Sequence, residues 1–140
     1  IDINLVGVLN GFHAAIPYLK RTEGALCIST SSSAAIYGAA GMATYTATKY
    51  AIKGFTHAMS VELSRFGVRV ADVMPGIIDT PMVSLSGDDR TKHYQNVTKT
   101  HLIDRPGNPA EVAKGIIFAI ENDFITGTTI DVDGGWLVAQ

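Results

Sequence analysis

The sequence predicts an α/β fold, a parallel β-sheet covered by helices on both faces, and two observations support this. Segments with helical periodicity alternate with short apolar segments, in the order helix, strand, helix, strand, loop, helix, strand. Alternation of this kind is typical of a parallel sheet with helices on both of its faces. The chain has 140 residues, 46% of them hydrophobic and 17% charged, enough for one compact domain but not comfortably for two. We therefore expect a single domain over residues 1–140.

The first half of the chain contains two predicted helices with a strand between them. Over residues 3–20, apolar side chains recur at three- and four-residue steps, which predicts an amphipathic helix. Pro17 is expected to kink its last turn or make it irregular. Residues 25–29, with the sequence Ala-Leu-Cys-Ile-Ser, predict a short strand buried on both faces. The second helix is predicted over residues 42–66, and Gly67 is expected to end it.

A strand followed by a long irregular segment comes next. Residues 68–74 predict the strand, and the Pro75-Gly76 turn ends it. Residues 77–105 are polar and have poor periodicity, so we expect a long loop there. Loops of that length in a compact domain are usually functional or mobile.

The last part of the chain predicts a helix and a strand. Asn108 is expected to cap the helix, with Pro109 at its first position and Glu111 reaching back to the cap. Residues 128–132 predict the last strand, which a turn at residues 133–135 ends. Because three strands make a small sheet for a doubly wound fold, we expect further strands to lie before Ile1. The lack of an initiator Met agrees with that expectation.

Composition argues against several classes of protein. The net charge is −2, from 11 basic and 13 acidic residues, which gives no basis for a nucleic-acid partner or an anionic membrane surface. No apolar run approaches the roughly 20 residues of a membrane span. Cys27, the single cysteine, excludes an internal disulfide, and the four histidines show no metal-ligand spacing. We expect no metal and, from the cysteine content, a cytoplasmic location.

The pair Tyr45 and Lys49 is the strongest candidate for chemistry. Residues four apart on a helix lie on one face, so the ammonium is expected beside the phenol, favouring phenolate and lowering its pKa from about 10. A phenol tuned in this way transfers protons near neutral pH. The spacing alone also fits an ordinary solvated helix face. Ser32, thirteen residues before Tyr45, follows the first predicted strand, and the carboxyl ends of parallel strands are where ligands bind.

Ser32, Tyr45 and Lys49 at these spacings resemble the catalytic set of the short-chain dehydrogenase/reductase (SDR) family. Residues 28–38 and 45–54 are similar to that family's serine strand and Tyr-x-x-x-Lys helix. The Asp-Ile-Asn-Leu segment at residues 2–5 resembles the helix that carries its fourth catalytic residue, which is here Asn4.

Residues 75–82, which we call the cofactor loop, resemble the segment with which this family holds its nicotinamide. The resemblance implies that Pro75 and Gly76 form the turn, and that a backbone group of Ile78 and the hydroxyl of Thr80 bind the nicotinamide carboxamide. The Arg-Pro-Gly at residues 105–107 and the Asp-Gly-Gly-Trp at residues 133–136 are similar to the family's C-terminal end.

The resemblance implies a Rossmann-like doubly wound sheet and an NAD- or NADP-dependent oxidoreductase of a small carbonyl or secondary alcohol. Tyr45 would then be the general acid/base, Ser32 would hold the substrate oxygen, Lys49 would bind the nicotinamide ribose and Asn4 would hold a water linked to Lys49. A homo-oligomer, tetramer or dimer, is implied as well. Residues 82–101 would select the substrate. The sequence does not indicate which substrate that is.

One departure from the family pattern concerns the glycine-rich phosphate loop, which has no counterpart here. Gly38 and Gly41 are close together but precede the Tyr45 helix, the wrong context for a phosphate loop. The choice between NAD and NADP is therefore open, and we expect residues 1–140 alone to be inactive. Two rival classes remain: a dinucleotide-binding sensor or scaffold without turnover, and an epimerase or dehydratase that uses the same Tyr and Lys.

Overall fold

Three parallel strands form the sheet of the computed structural model, which describes residues 1–140. The strands lie in the order β1-β2-β3. β1 pairs with β2 from Leu26 opposite Arg69 onward, and β2 pairs with β3 from Ala71 opposite Thr128. The carboxyl ends of all three strands therefore lie at the same end of the sheet. The strand bounds are β1 Leu26–Thr30, β2 Arg69–Pro75 and β3 Thr128–Val132.

Helices cover both faces of the sheet, as the alternating pattern predicts. Four of them are α-helices, and a π-helical turn at Asp2–Val6 leads directly into the first. Short 3-10 turns lie at Ser33–Ala35 and Leu137–Ala139. No helix is both long and apolar enough to cross a membrane. The α-helices are α1 Gly7–Leu19, α2 Ala43–Ser64, α3 Gly87–Val97 and α4 Pro109–Glu121.

The main apolar core lies between α1, α2 and one face of the sheet. Phe12 of α1 is 4% exposed and meets Phe55 of α2 edge to face, with ring centroids 4.8 Å apart. Burial of one such aromatic or aliphatic side chain stabilises the fold by about 1.5–3 kcal/mol. Cys27 packs against this core, and burial raises the pKa of its thiol, as expected of a structural cysteine. The buried members of the core cluster are Phe12, Ala25, Met59, Leu63, Val68 and Val70.

Helix α4 packs on the opposite face of the sheet. A Cβ built on Gly115 would lie 2.8 Å from Val132 and 3.7 Å from Val73, so only a glycine lets the helix come this close to β2 and β3. The start of this helix confirms the predicted capping box. Asn108 Oδ1 accepts from the Glu111 amide at 3.1 Å, and Glu111 Oε2 accepts from the Asn108 amide at 2.8 Å.

The predicted elements are confirmed in type and order, with ends shifted by a few residues. The helix predicted over residues 3–20 begins as the π-turn, and it continues past Pro17 to Leu19. The prediction of a loop throughout residues 77–105 was wrong, because α3 lies inside it. This helix is polar and buries only Tyr94, so its sequence lacks the apolar stripe by which a helix is recognised.

Candidate active site

Ser32 lies just beyond β1 and begins the 3-10 turn at Ser33–Ala35. Its backbone is extended, and its Oγ accepts a hydrogen bond from the Ala34 amide at 3.2 Å. Because this bond uses the oxygen as an acceptor, the hydroxyl proton remains able to donate. The local turn thus fixes the side chain and leaves one donor for a ligand oxygen.

Tyr45 and Lys49 lie one turn apart on α2, and the side chain of Lys49 reaches the end of β1. Lys49 Nζ lies 5.7 Å from the centroid of the Tyr45 ring and donates a hydrogen bond of 2.9 Å to the carbonyl oxygen of Thr30. Both side chains are partly exposed, so each is open to a ligand. Burial lowers the pKa of Lys49, since desolvation disfavours the charged ammonium.

Asn4 lies in the π-turn that precedes α1. The turn is wider than an α-helical turn: the amides of Val6 and Gly7 bond to carbonyls five residues earlier. Turns of this type are frequent at functional sites. The turn packs against α2, but no hydrogen bond joins Asn4 directly to Lys49. The role of Asn4 therefore stays a prediction.

The cofactor loop leaves the end of β2 beside the start of the Asp133 turn. A Cβ on Gly76 would lie 2.8 Å from the Cα of Asp133 and 2.9 Å from its carbonyl oxygen. The absence of a side chain at Gly76 is thus required by a neighbouring turn of this chain. The sequence does not reveal this contact, because Gly76 and Asp133 are far apart along the chain.

Ile78 forms a single parallel bridge with Gly107, and this bridge determines which of its backbone groups are free. The bonds of the bridge run from the Gly107 amide to the Ile77 carbonyl, 2.9 Å, and from the Asp79 amide to the Gly107 carbonyl, 2.8 Å. Neither bond uses the N–H or C=O of Ile78. The hydroxyl of Thr80, two residues on, also makes no hydrogen bond within the chain. The N–H and C=O of Ile78 and the hydroxyl of Thr80 therefore have no partner within the chain.

Asp72 is a residue of the site region that the sequence analysis missed. It is fully buried in β2, and its carboxylate accepts hydrogen bonds from the hydroxyl of Ser31 and, at 2.9 Å, from that of Thr129. A buried carboxylate is costly unless it is hydrogen-bonded, so these hydroxyls are needed. The bond from Ser31 fixes the residue next to Ser32. The sequence does hold a sign of this role, because Asp72 is the only acidic residue of β2.

A cavity of about 330 Å³ lies beside the cofactor loop. Its lining includes Ile77 and Ile78 but none of Ser32, Tyr45 and Lys49. The cavity therefore does not mark the candidate catalytic residues. They are identified by the positions of their own side chains. No group of three or more His, Cys, Asp or Glu residues is arranged to hold a metal ion.

Comparisons with known proteins identify the family. A family model described as enoyl-(acyl carrier protein) reductase matches residues 1–137. The chain is 36% identical to the short-chain reductase protein NovJ of Streptomyces niveus, in an alignment that covers 96% of this chain and 53% of NovJ. It spans about half the length of the curated relatives it matches, which are named as dehydrogenases and reductases.

Two solved structures with cofactors share the fold. A 3-oxoacyl-[acyl-carrier protein] reductase from Brucella melitensis with bound NAD is 34% identical, with a TM-score of 0.83 over 97% of this chain and 50% of that one. ElxO with NADP bound is 28% identical, with a TM-score of 0.88 over 96% of this chain and 55% of that one. From the family-model match and these likenesses, the chain belongs to the short-chain dehydrogenase/reductase family, Rossmann-fold oxidoreductases that use NAD or NADP.

Proposed function

We propose that the full-length protein transfers hydride between NAD or NADP and a small carbonyl or secondary-alcohol substrate, with Tyr45 as general acid/base. The observation that carries this is the position of Lys49, which lies one turn from Tyr45 on α2 and bonds to Thr30, the residue two before Ser32. Proton transfer by a positioned side chain accelerates such reactions by about 10²–10⁴-fold.

Ser32 and Tyr45 handle the substrate oxygen in this proposal. When bound, the nicotinamide supplies or accepts the hydride. In reduction, the Ser32 hydroxyl donates a hydrogen bond to the carbonyl oxygen, and Tyr45 gives that oxygen its proton as negative charge develops there. In oxidation, Tyr45 takes the proton from the alcohol. The free proton of the Ser32 hydroxyl supports its part.

Lys49 has donors left for a second task. An ammonium has three N–H donors, and the Thr30 carbonyl takes one of them. Two remain for the ribose hydroxyls of the cofactor and for a water held at Asn4. The hydrogen bond to Thr30 of β1 holds the Lys49 ammonium in place for these contacts.

The cofactor loop fits the nicotinamide end of the cofactor. The free N–H and C=O of Ile78 and the free hydroxyl of Thr80 match the acceptor and donors of a carboxamide. Pro75 and Gly76 set the direction in which the loop leaves β2. We propose that these four residues, with Tyr45 and Lys49, form the nicotinamide-binding part of the site.

We also propose that the protein assembles as a homo-oligomer, a tetramer or dimer. Large apolar side chains are exposed on α2 and on and after α4; Val61 is 75% exposed and Phe124 96%. Contiguous exposed apolar surface marks protein–protein interfaces, so these helices are the candidates for subunit contacts. Trp136 packs against Tyr37 in the same chain, with ring centroids 5.6 Å apart. A cytoplasmic location stays a prediction.

An absorbance assay tests the function. The full-length protein is given NADH or NADPH with a series of ketones, and NAD or NADP with the matching alcohols. Turnover with at least one pair supports the proposal. Tight cofactor binding with no turnover on any pair would contradict it. That result would favour a sensor or scaffold, or an epimerase or dehydratase, which regenerates its cofactor and leaves no net change in absorbance.

A further inference from the structure

Helix α3 carries an arginine whose side chain reaches back to the cofactor loop. Arg90 forms an ion pair with Asp79, in which Nε lies 3.0 Å from Oδ1. Its Nη2 donates a hydrogen bond of 2.8 Å to the carbonyl oxygen of Thr80. The same guanidinium therefore contacts two consecutive residues of the cofactor loop.

The remaining donors of Arg90 bind the segment that follows this loop. Nη1 donates to the carbonyl oxygens of Val83, at 2.5 Å, and Leu85, at 3.1 Å, and Nη2 also lies 3.3 Å from the hydroxyl of Tyr94. All three nitrogens are used. A planar guanidinium can satisfy so many acceptors at once because its five N–H donors have a fixed fork geometry. Residues 79–85 are thus folded around one side chain.

The opposite side of the cofactor loop is held by backbone bonds. The Asp79 amide donates to the Gly107 carbonyl at 2.8 Å, which fixes the loop against the segment before α4. Beyond Asp79, the Thr80 carbonyl has only Arg90 and, at 3.2 Å, the Val83 amide as partners. Without Arg90, the Thr80 carbonyl would keep only that turn bond.

We propose that Arg90 is a positioning residue, which holds Thr80 where its hydroxyl binds the nicotinamide carboxamide and thereby couples α3 to cofactor binding. The inference rests on the proposed function, since it assigns Thr80 to the cofactor. α3 lies within residues 82–101, from which we expect substrate contacts. A single guanidinium therefore joins the substrate side of the site to its cofactor side.

Arg90 and Asp79 both remain charged across the working pH range. The Arg90 guanidinium holds the pKa of the Asp79 carboxyl below its usual range, and the carboxylate in turn raises the pKa of Arg90. Both groups stay charged at neutral pH. We expect Arg90 to hold the loop equally well between mildly acidic and mildly basic conditions.

A double-mutant cycle on cofactor affinity tests the proposal. Calorimetric titration with NADH and NADPH is carried out on the full-length wild-type protein, Arg90→Ala, Thr80→Val and the double variant. Arg90→Ala is expected to raise the Kd about ten-fold in the wild-type background but no more than about two-fold in the Thr80→Val background, as for residues of one network. Lys92→Ala, an exposed change on the same helix, is the matched control and should leave the Kd unchanged.

Two further measurements separate positioning from simple stabilisation. Hydrogen exchange without cofactor should be faster for the amides of residues 79–85 in Arg90→Ala than in the wild type, and unchanged in Lys92→Ala. Arg90→Lys keeps the charge but not the fork, so it should restore only part of the affinity. If Arg90→Ala does not fold, Arg90→Lys and Asp79→Asn take its place in the same cycle.

The outcomes distinguish the inference from the function on which it rests. Additive effects of Arg90→Ala and Thr80→Val, or a normal Kd in Arg90→Ala, would overturn the inference while the proposed function stands. If the wild-type protein binds neither NADH nor NADPH, the proposed function fails and the inference fails with it. Strong coupling together with faster exchange in residues 79–85 supports it.

Discussion

The ammonium of Lys49 lies 2.9 Å from the carbonyl oxygen of Thr30, and this hydrogen bond ties α2 to the last residue of β1. It links two local features that the sequence shows separately, a Tyr-x-x-x-Lys spacing on a helix and a serine after a strand. Because Ser32 follows Thr30 by two residues and Tyr45 lies one turn before Lys49, the bond joins the part of α2 that carries Tyr45 to the segment that carries Ser32. The candidate site depends on this contact.

Gly76→Ala should destabilise the protein, because the new methyl group meets the backbone of Asp133 and not a flexible side chain. Overpacking of this kind costs about 1–3 kcal/mol. The free energy of unfolding is measured by urea denaturation of the full-length variant. Gly38→Ala, where a Cβ would have nothing within 4 Å, is the matched control. Equal stability of the two variants would contradict the structure at this turn.

Glu111→Gln should reduce stability at neutral pH but not in acid. Arg105 holds the pKa of Glu111 at about 2, well below its ordinary value. Since the folded-state pKa is lowered, the stabilisation is present above the unfolded-state value of about 4.3 and is lost as the pH falls toward 2.

The difference in urea midpoint between wild type and Glu111→Gln should therefore shrink as the pH falls from about 5 to about 2. Glu62→Gln, a change at an exposed glutamate of α2 that forms no salt bridge, is the control and should show no such trend. A difference independent of pH would show that the carboxylate of Glu111 does not carry the effect.

The helices and strands could be predicted wherever the information is local. The capping box of α4 lies within four residues of sequence, and β3 was predicted with its observed bounds, Thr128–Val132. α3 could not be predicted, because tertiary contacts stabilise it and no apolar stripe marks it in the sequence. Tyr94 is its one buried residue, and Arg90 binds a segment that precedes the helix.

The same distinction applies to the site. Tyr45 and Lys49 could be predicted as a pair because helical geometry alone puts them together. The contacts of Asp72 could not, since Thr129 lies 57 residues away in the sequence and meets Asp72 only through the pairing of β2 with β3. Pairings of that range depend on the register of the sheet, which no local pattern specifies.

Thr80→Val should weaken binding of the cofactor while leaving the fold intact. The loss of one hydrogen bond, about 0.5–1.5 kcal/mol, corresponds to an increase of about 2- to 13-fold in Kd. Calorimetric titration with NADH and NADPH measures it, and Thr100→Val, a change at an exposed threonine, is the control. If only the KM for substrate rose, the loop would belong to the substrate and the assignment of Thr80 would be wrong.

Turnover of Tyr45→Phe in the full-length protein tests the central claim most directly. The variant keeps the ring beside Lys49 and removes only the hydroxyl that would exchange the proton. We expect kcat to fall by at least about two orders of magnitude, as for the loss of a positioned acid/base, with the Kd for NADH or NADPH nearly unchanged. Tyr18→Phe, at an exposed tyrosine of α1, should keep wild-type kcat. A Tyr45→Phe protein that turns over substrate at close to the wild-type rate would contradict the account.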